Sequence, residues 1–487
     1  MRRLFASLRV AFVICSFFIS FIEVSYAKMT NSSDEKKLIL DQYLMQVKDQ
    51  NGLYRNYEEQ MMSNKLNIST KDLLTSPTMF ANTGYTTDYK TSTEYGLTYD
   101  HKNYVDYNIG IQQNTDFGLN AKIYYDVNKT TFVDPNPNTT ENMSLGSFNI
   151  ELEQDLLSNA FGQTTRANKK LTENVSLAMY YNTKYSLQQL LQNAENTYWN
   201  LVILSEITKV KAETVKQNQE MENYTSKKVK MNLMDKSNEL QSRAALELAK
   251  LNLQEAQENE KSMIKSFNSI AGVESDVLED GLVEVPWDYL ENYKVDKGYN
   301  STSQVKYLEK AVEASKANSI VNKNKYKPTL KLLASYSSNA EDNEINQSLK
   351  NIDDTDRPTG YVGLSFSIPL NFSAISDFNE SVNKSRNAIK LQYQQQIIND
   401  KVNWNNLLNK LEYAQARLKL ARQVEDIQEQ KLNNEIKRWK NGISSTYQVL
   451  QFQTEFTESR LNSLSIANEI FSIIANLKLF ETEEGNI

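Results

Sequence analysis

The sequence predicts a mainly α-helical chain with a smaller β portion, laid out as two structural repeats in which strands lead into a long helical hairpin. Three observations carry this. First, the helix breakers Pro and Gly leave two long stretches almost untouched. No Pro falls in 138–285 or 370–487, Gly is absent from 163–271, and Gly442 is the only Gly in 364–484. Second, apolar residues inside these stretches recur at alternating steps of three and four, the narrow seam of a coiled coil. Third, just before each stretch the period drops to two, as in a strand with one apolar face.

Composition removes several alternatives. Of 487 residues, 40% are hydrophobic and 24% charged, too polar for a bundle of membrane helices that each need about 20 consecutive apolar residues. The net charge of −7 argues against nucleic-acid binding through a basic surface. One His and one Cys exclude paired-His ligation, Cys clusters or a disulfide framework within the chain. No nucleophile sits beside a base, and no phosphate loop or metal-ligand spacing is present, so neither catalysis nor a cofactor or metal is expected. His101 has no second His to share a metal with.

The elements follow in chain order. Arg2, Arg3 and Arg9 lead into the apolar run Val10–Ile22 and the small-x-small triplet Ser25-Tyr26-Ala27, which predicts a secretory signal peptide over 1–27, cleaved after Ala27. Cys15 follows Phe12-Val13-Ile14, which does not resemble a lipoprotein cleavage box, so no lipid anchor is expected. The first repeat spans 28–285: a helix, strands within 77–157, a long helical hairpin over 165–271 and a connector. The second spans 286–487: a helix over 301–327, strands within 328–370 and a helical hairpin over 375–480. Phe148, Ile150 and Leu152 alternate with polar neighbours, as do Val362, Leu364, Phe366 and Ile368. In the helices, Leu187, Leu191, Ala194, Tyr198 and Leu201 form one seam, and Trp404, Leu407, Leu411, Ala414, Leu418 and Ala421 another.

The repeat shows in the pairing of Pro77-Thr78-Met79 with Pro328-Thr329-Leu330. The next matched strands lie closer together in the second half, so the first half carries extra residues near 93–130. There Tyr104–Gln112 and Leu119–Tyr125 flank Asn114-Thr115-Asp116-Phe117-Gly118, which reads as an added β-hairpin. It enlarges a barrel, lengthens one, or forms a surface loop. The many tyrosines, 27 in all, fit either interfacial belts or plain strand propensity.

The two uninterrupted helices, 165–230 and 375–440, each extend to roughly 100 Å at about 1.5 Å per residue. Rods of that length brace a bundle or wall a tube. Four strands cannot close a barrel, since about eight are needed, and open edges are not tolerated in lipid. If the strands span a membrane, several chains contribute to one barrel.

With these features assembled, the sequence resembles the TolC family of outer-membrane exit ducts over nearly the whole chain beyond the signal peptide. The resemblance rests on Lys325-Tyr326-Lys327-Pro328-Thr329-Leu330, on Val362-Gly363-Leu364-Ser365-Phe366-Ser367-Ile368-Pro369-Leu370, and on Gly442 followed by Val449-Leu450. It implies a homotrimer with a twelve-stranded β-barrel in the outer membrane, four strands per chain, and a coiled-coil α-helical barrel across the periplasm. It implies an outer-membrane channel of a tripartite efflux or type I secretion system, partnered by an inner-membrane pump, a periplasmic adaptor and outer-membrane lipid. The competing reading is a structural coiled-coil protein of the envelope or surface, which has no need of matched amphipathic strands.

The resemblance also implies site residues. Adaptor hairpins dock on the two helical turns at Asn232 and Leu233 and at Gly442, Ile443, Ser444 and Ser445, or these are simple turns. Where the best-studied members carry two Asp, an Arg and a Tyr at the periplasmic gate, this sequence has Gln448, Gln451, Ser444 and Trp439. Gln448 and Gln451 form a polar constriction with weaker attraction for cations, or are ordinary solvated helix residues.

Overall fold

A computed structural model describes residues 37–90, 98–137, 140–278, 280–295, 298–353 and 356–480. The expected signal peptide at 1–27, with Cys15, lies outside the described residues. Two short helices, α1 (Leu40–Gln50) and α2 (Gly52–Asn67), precede the strands β1 (Thr78–Asp88), β2 (His101–Asn114), β3 (Leu119–Val133) and β4 (Asn142–Asp155). A helical hairpin of α3 (Gln163–Lys230) and α4 (Lys236–Ala271) follows. After the short α5 (Trp287–Asn292), α6 (Ser303–Lys325) returns the chain to β5 (Thr329–Asp342). The one-turn α7 (Ile345–Lys350), β6 (Pro358–Ser367), α8 (Phe372–Lys440) and α9 (Thr446–Leu477) complete it.

Helices α3 and α8 have 68 and 69 residues, roughly 100 Å each. They are continuous because nothing in them removes an intrahelical donor or favours left-handed backbone. The helical layer runs α4–α3–α9–α8. Asn218 of α3 donates to the Ala245 carbonyl of α4 at 3.2 Å, and Gln192 of α3 to Asn476 of α9 at 2.8 Å. Lys431 of α8 meets Glu455 of α9 at 2.5 Å.

The main core lies midway along these helices. Trp199 of α3 stacks on Phe471 of α9 at 3.7 Å and 7°, and Tyr43 of α1 on Phe267 of α4 at 3.9 Å and 14°. Helix α9 is apolar enough by composition to cross a bilayer, but Ile470, Ile474 and Leu477 are buried in this core, so it serves as the central packing helix. Buried Asp400 of α8 accepts from the Thr302 backbone N–H (3.2 Å), the Thr302 hydroxyl (2.9 Å) and the Tyr299 hydroxyl (3.1 Å). Burial first, and then the Asp400 carboxylate, push the Tyr299 hydroxyl up to about 12, which keeps it a donor.

The strands form one antiparallel sheet in chain order, β1 to β6. Its two faces differ as the period of two requires. Directly opposed residues share a face, and one face collects Met79, Ile109, Ile111, Ile123, Phe148, Ile150, Tyr336, Val362, Leu364 and Phe366. The other collects Asn108, Asp106, Asp126, Glu151, Ser337 and Ser365. At the end of the sheet far from α3 the apolar face gives way to small residues, where Ile352 and Ser348, from the turns after β5, pack against Gly146.

The count of four strands per chain must be corrected. The sheet has six strands. The added hairpin lies within the sheet: β1 pairs with β2 from Thr78↔Gln112 to Asp88↔Lys102, and β3 pairs with β4 from Leu119↔Gln154 to Thr131↔Asn142. Among the described residues, no pairing joins β1 to β4.

The hairpin turn is seated on the start of α3. Gly162, at φ +74°, lies against the Asp116 carbonyl, where a Cβ would come within 1.8 Å, so no other residue fits. Arg166 donates to the carbonyls of Asp116 (3.0 Å) and Phe161 (2.6 Å), and Lys169 pairs with Asp116 at 2.8 Å.

Candidate functional site

The end of the helical layer far from the sheet is formed by the α3–α4 and α8–α9 turns. Both stop the first helix in the same way. Asn232 (φ +55°) and Gly442 (φ +75°) are left-handed. The Asn232 N–H donates to the Val229 carbonyl and the Leu233 N–H to that of Lys228, each at 2.9 Å. The Gly442 and Ile443 N–H groups repeat this with Trp439 and Arg438, again at 2.9 Å. This is the Schellman arrangement, which favours Gly and tolerates Asn at the left-handed position. Ser445 caps α9, accepting from the Gln448 N–H at 3.2 Å.

The turns present apolar residues inside a basic collar. Leu233 is 64% exposed and Ile443 66%. Lys227, Lys228 and Lys230 close α3, and Lys437, Arg438 and Lys440 close α8, where cations favour the helix C-terminus. The sequence reading missed this collar, although the signal was there in Lys-Lys-Val-Lys and Lys-Arg-Trp-Lys before the two turns.

The four residues aligned with the gate do not share one surface. Trp439 is 5% exposed and belongs to the core of the tip. It packs against Tyr224 at 4.4 Å beside Met221, Val449 and Phe456, and its indole N–H donates to Thr446 at 3.3 Å. An apolar ring with one partnered N–H is stable between the two helical hairpins of one chain. Ser444 hydrogen-bonds Glu435, which also pairs with Arg438 at 3.3 Å, so it staples its own turn.

Gln448 and Gln451 are exposed, one turn apart on α9. Gln451 donates to Glu455 at 3.1 Å. The Lys431 ammonium, bonded to Glu455, holds that carboxyl below the usual range, assisted by Gln451. The carboxylate on this face thus stands one helical turn beyond Gln451. Exposed Glu458 follows it.

Residues 300–479, from just before α6 through α9, match the family described as Outer membrane efflux protein. Over this stretch, less than half of the chain, the sequence is similar to that family. Among solved structures it is similar to the CmeC outer membrane channel of Campylobacter jejuni, with 13% identity, TM-score 0.65, and 95% of this chain and 92% of that one covered. It is similar to the outer membrane protein VceC of Vibrio cholerae, with 12% identity, TM-score 0.64, and 90% and 95% covered. It is also similar to the open state of the MtrE outer membrane channel of Neisseria gonorrhoeae, with 13% identity, TM-score 0.63, and 94% and 95% covered. At these identities the likeness is one of fold. No curated protein matches the sequence. The fold of these channels thus extends over the first half of the chain as well, beyond the stretch that the family match covers.

Proposed function

We propose that three copies of this chain form an outer-membrane channel of a tripartite efflux or type I secretion system. It receives substrate from an inner-membrane pump through a periplasmic adaptor and releases it outside. One observation carries the reading. A sheet with an exposed apolar face is joined to a helical layer roughly 100 Å long, and both are open at both edges. Among the described residues the sheet ends on β1 and β6, each paired on one side only. The helical layer ends on α4, which exposes Leu240, Leu248 and Leu251, and on α8, which exposes Leu391, Ile398 and Val402. An open sheet edge is unstable in lipid, and exposed apolar stripes call for a partner. Further copies, closing a ring, satisfy both. Three copies are what the resemblance implies.

The adaptor is proposed to dock on Leu233, Ile443 and the basic collar, and Gln448 and Gln451 to line the entrance. The coiled-coil spacer reading is disfavoured by the apolar-faced sheet. The test is single-particle electron microscopy of the detergent-solubilised protein. A threefold, hollow particle with a helical tube of about 100 Å is expected. A thin rod or solid globule would refute the channel.

A further inference from the structure

We infer that the assembled channel has an eighteen-stranded β-barrel, wider than the twelve strands implied by the resemblance, with the β2–β3 hairpin forming part of the membrane wall in every chain. The inference rests on the trimeric channel reading above for the number of copies. The six strands per chain come from the sheet itself.

Three observations place the hairpin in the wall. The first is pairing: β2 and β3 are bonded without a break from His101↔Val133 to Asn114↔Asn120, and each is bonded on its other side to β1 or β4. Removing the hairpin would leave β1 and β4 facing each other across a gap two strands wide. The second is patterning. Ile109 and Ile111 of β2 and Ile123 and Tyr125 of β3 are exposed on the same apolar face as Ile150 and Leu364. A surface flap has no reason to keep the lipid-facing alternation of its neighbours in register. The third is the opposite face. Asn108 donates to Asp126 at 3.3 Å, Asn128 hydrogen-bonds Asp106, and Tyr124 donates to Glu151 of β4 at 2.7 Å. These groups need a wet, luminal side.

The dimensions agree. Twelve helices spaced about 9 Å apart enclose a circumference of roughly 110 Å. Eighteen strands spaced about 4.8 Å apart and tilted about 40° enclose roughly 110 Å as well, and twelve about 75 Å. Diameter grows about linearly with strand number, so the barrel is about 1.5 times as wide as a twelve-stranded one. The strand section then passes cargo as bulky as the helical tube admits.

Two measurements test this on the full-length processed protein. The first counts strands in a membrane-plane section of a cryo-electron microscopy map. Eighteen are expected. A threefold channel with twelve strands, the hairpin lying off the wall, overturns the inference and leaves the channel reading intact. A particle that is not a threefold channel overturns both. The second uses Ile109→Cys and Asn108→Cys in liposomes, Cys15 being the chain's only cysteine. A membrane-impermeant maleimide is expected to label Asn108→Cys several-fold faster. Equal labelling places both faces of the hairpin in water and overturns the inference.

Discussion

At the scale of single residues, the two turns are a matched pair with different chemistry. A left-handed conformation costs a residue with a Cβ roughly 1–2 kcal/mol, less for Asn. Gly442 carries no steric demand beyond this, since a Cβ there would meet nothing within 4 Å. Gly442→Ala should therefore loosen the α8–α9 turn by about 1–2 kcal/mol, and Asn232→Gly should tighten the α3–α4 turn by up to about 1 kcal/mol. Amide hydrogen exchange at Ile443 and Leu233 reads each effect locally. Unchanged protection at Ile443 in the alanine variant would contradict the left-handed cap. The same scale governs the proposed entrance. Gln448→Asp with Gln451→Asp adds two carboxylates per chain beside Glu455. Close charges near a protein surface interact by about 1–4 kcal/mol, so block of single-channel conductance by divalent cations should strengthen on the order of tenfold, less so at high salt. No change in block would mean that these residues do not line the pore. The turns were legible in the sequence because Gly and Asn announce left-handed backbone. The burial of Trp439 was not, because it depends on Tyr224 and Met221, more than two hundred residues away in sequence.

At the scale of elements, the helices were legible and the sheet only partly so. Helix α3 is written in local signals: a seam at steps of three and four, and no breaker between Gly162 and Asn232. The hairpin, too, was legible as a hairpin, from Gly118 and the alternation on either side. Its place between β1 and β4 was not. Strand neighbours are chosen by long-range pairing, and the decisive contacts of Gly162 and Arg166 with Asp116 join segments that no local pattern links. The tip is an element of its own, held by a small core separate from the main one. Trp439→Ala should remove about 3–5 kcal/mol from it while leaving the main core packed. Limited proteolysis should then cut first near residues 230–235 and 440–445. Cleavage elsewhere first would show that the two cores are not independent.

At the scale of the whole molecule, the dominant feature is that, among the described residues, sheet and helical layer both stop at unpartnered edges, β1 and β6 on one, α4 and α8 on the other. The apolar stripes on α4 and α8 could be read as amphipathic sequence, but which stripe faces its own chain and which faces outward emerged only with the layer order. In genetic terms, a chain damaged at one edge is not a silent loss. It still offers its sound edge to a healthy copy and withdraws that copy from service. If β6 is broken by Leu364→Pro, which deletes a ladder donor, co-expression in equal amounts with the intact chain should leave only about one in eight threefold assemblies free of the variant. Export activity should fall well below half, making the lesion dominant. Activity near half would mean that damaged chains are sorted out before assembly.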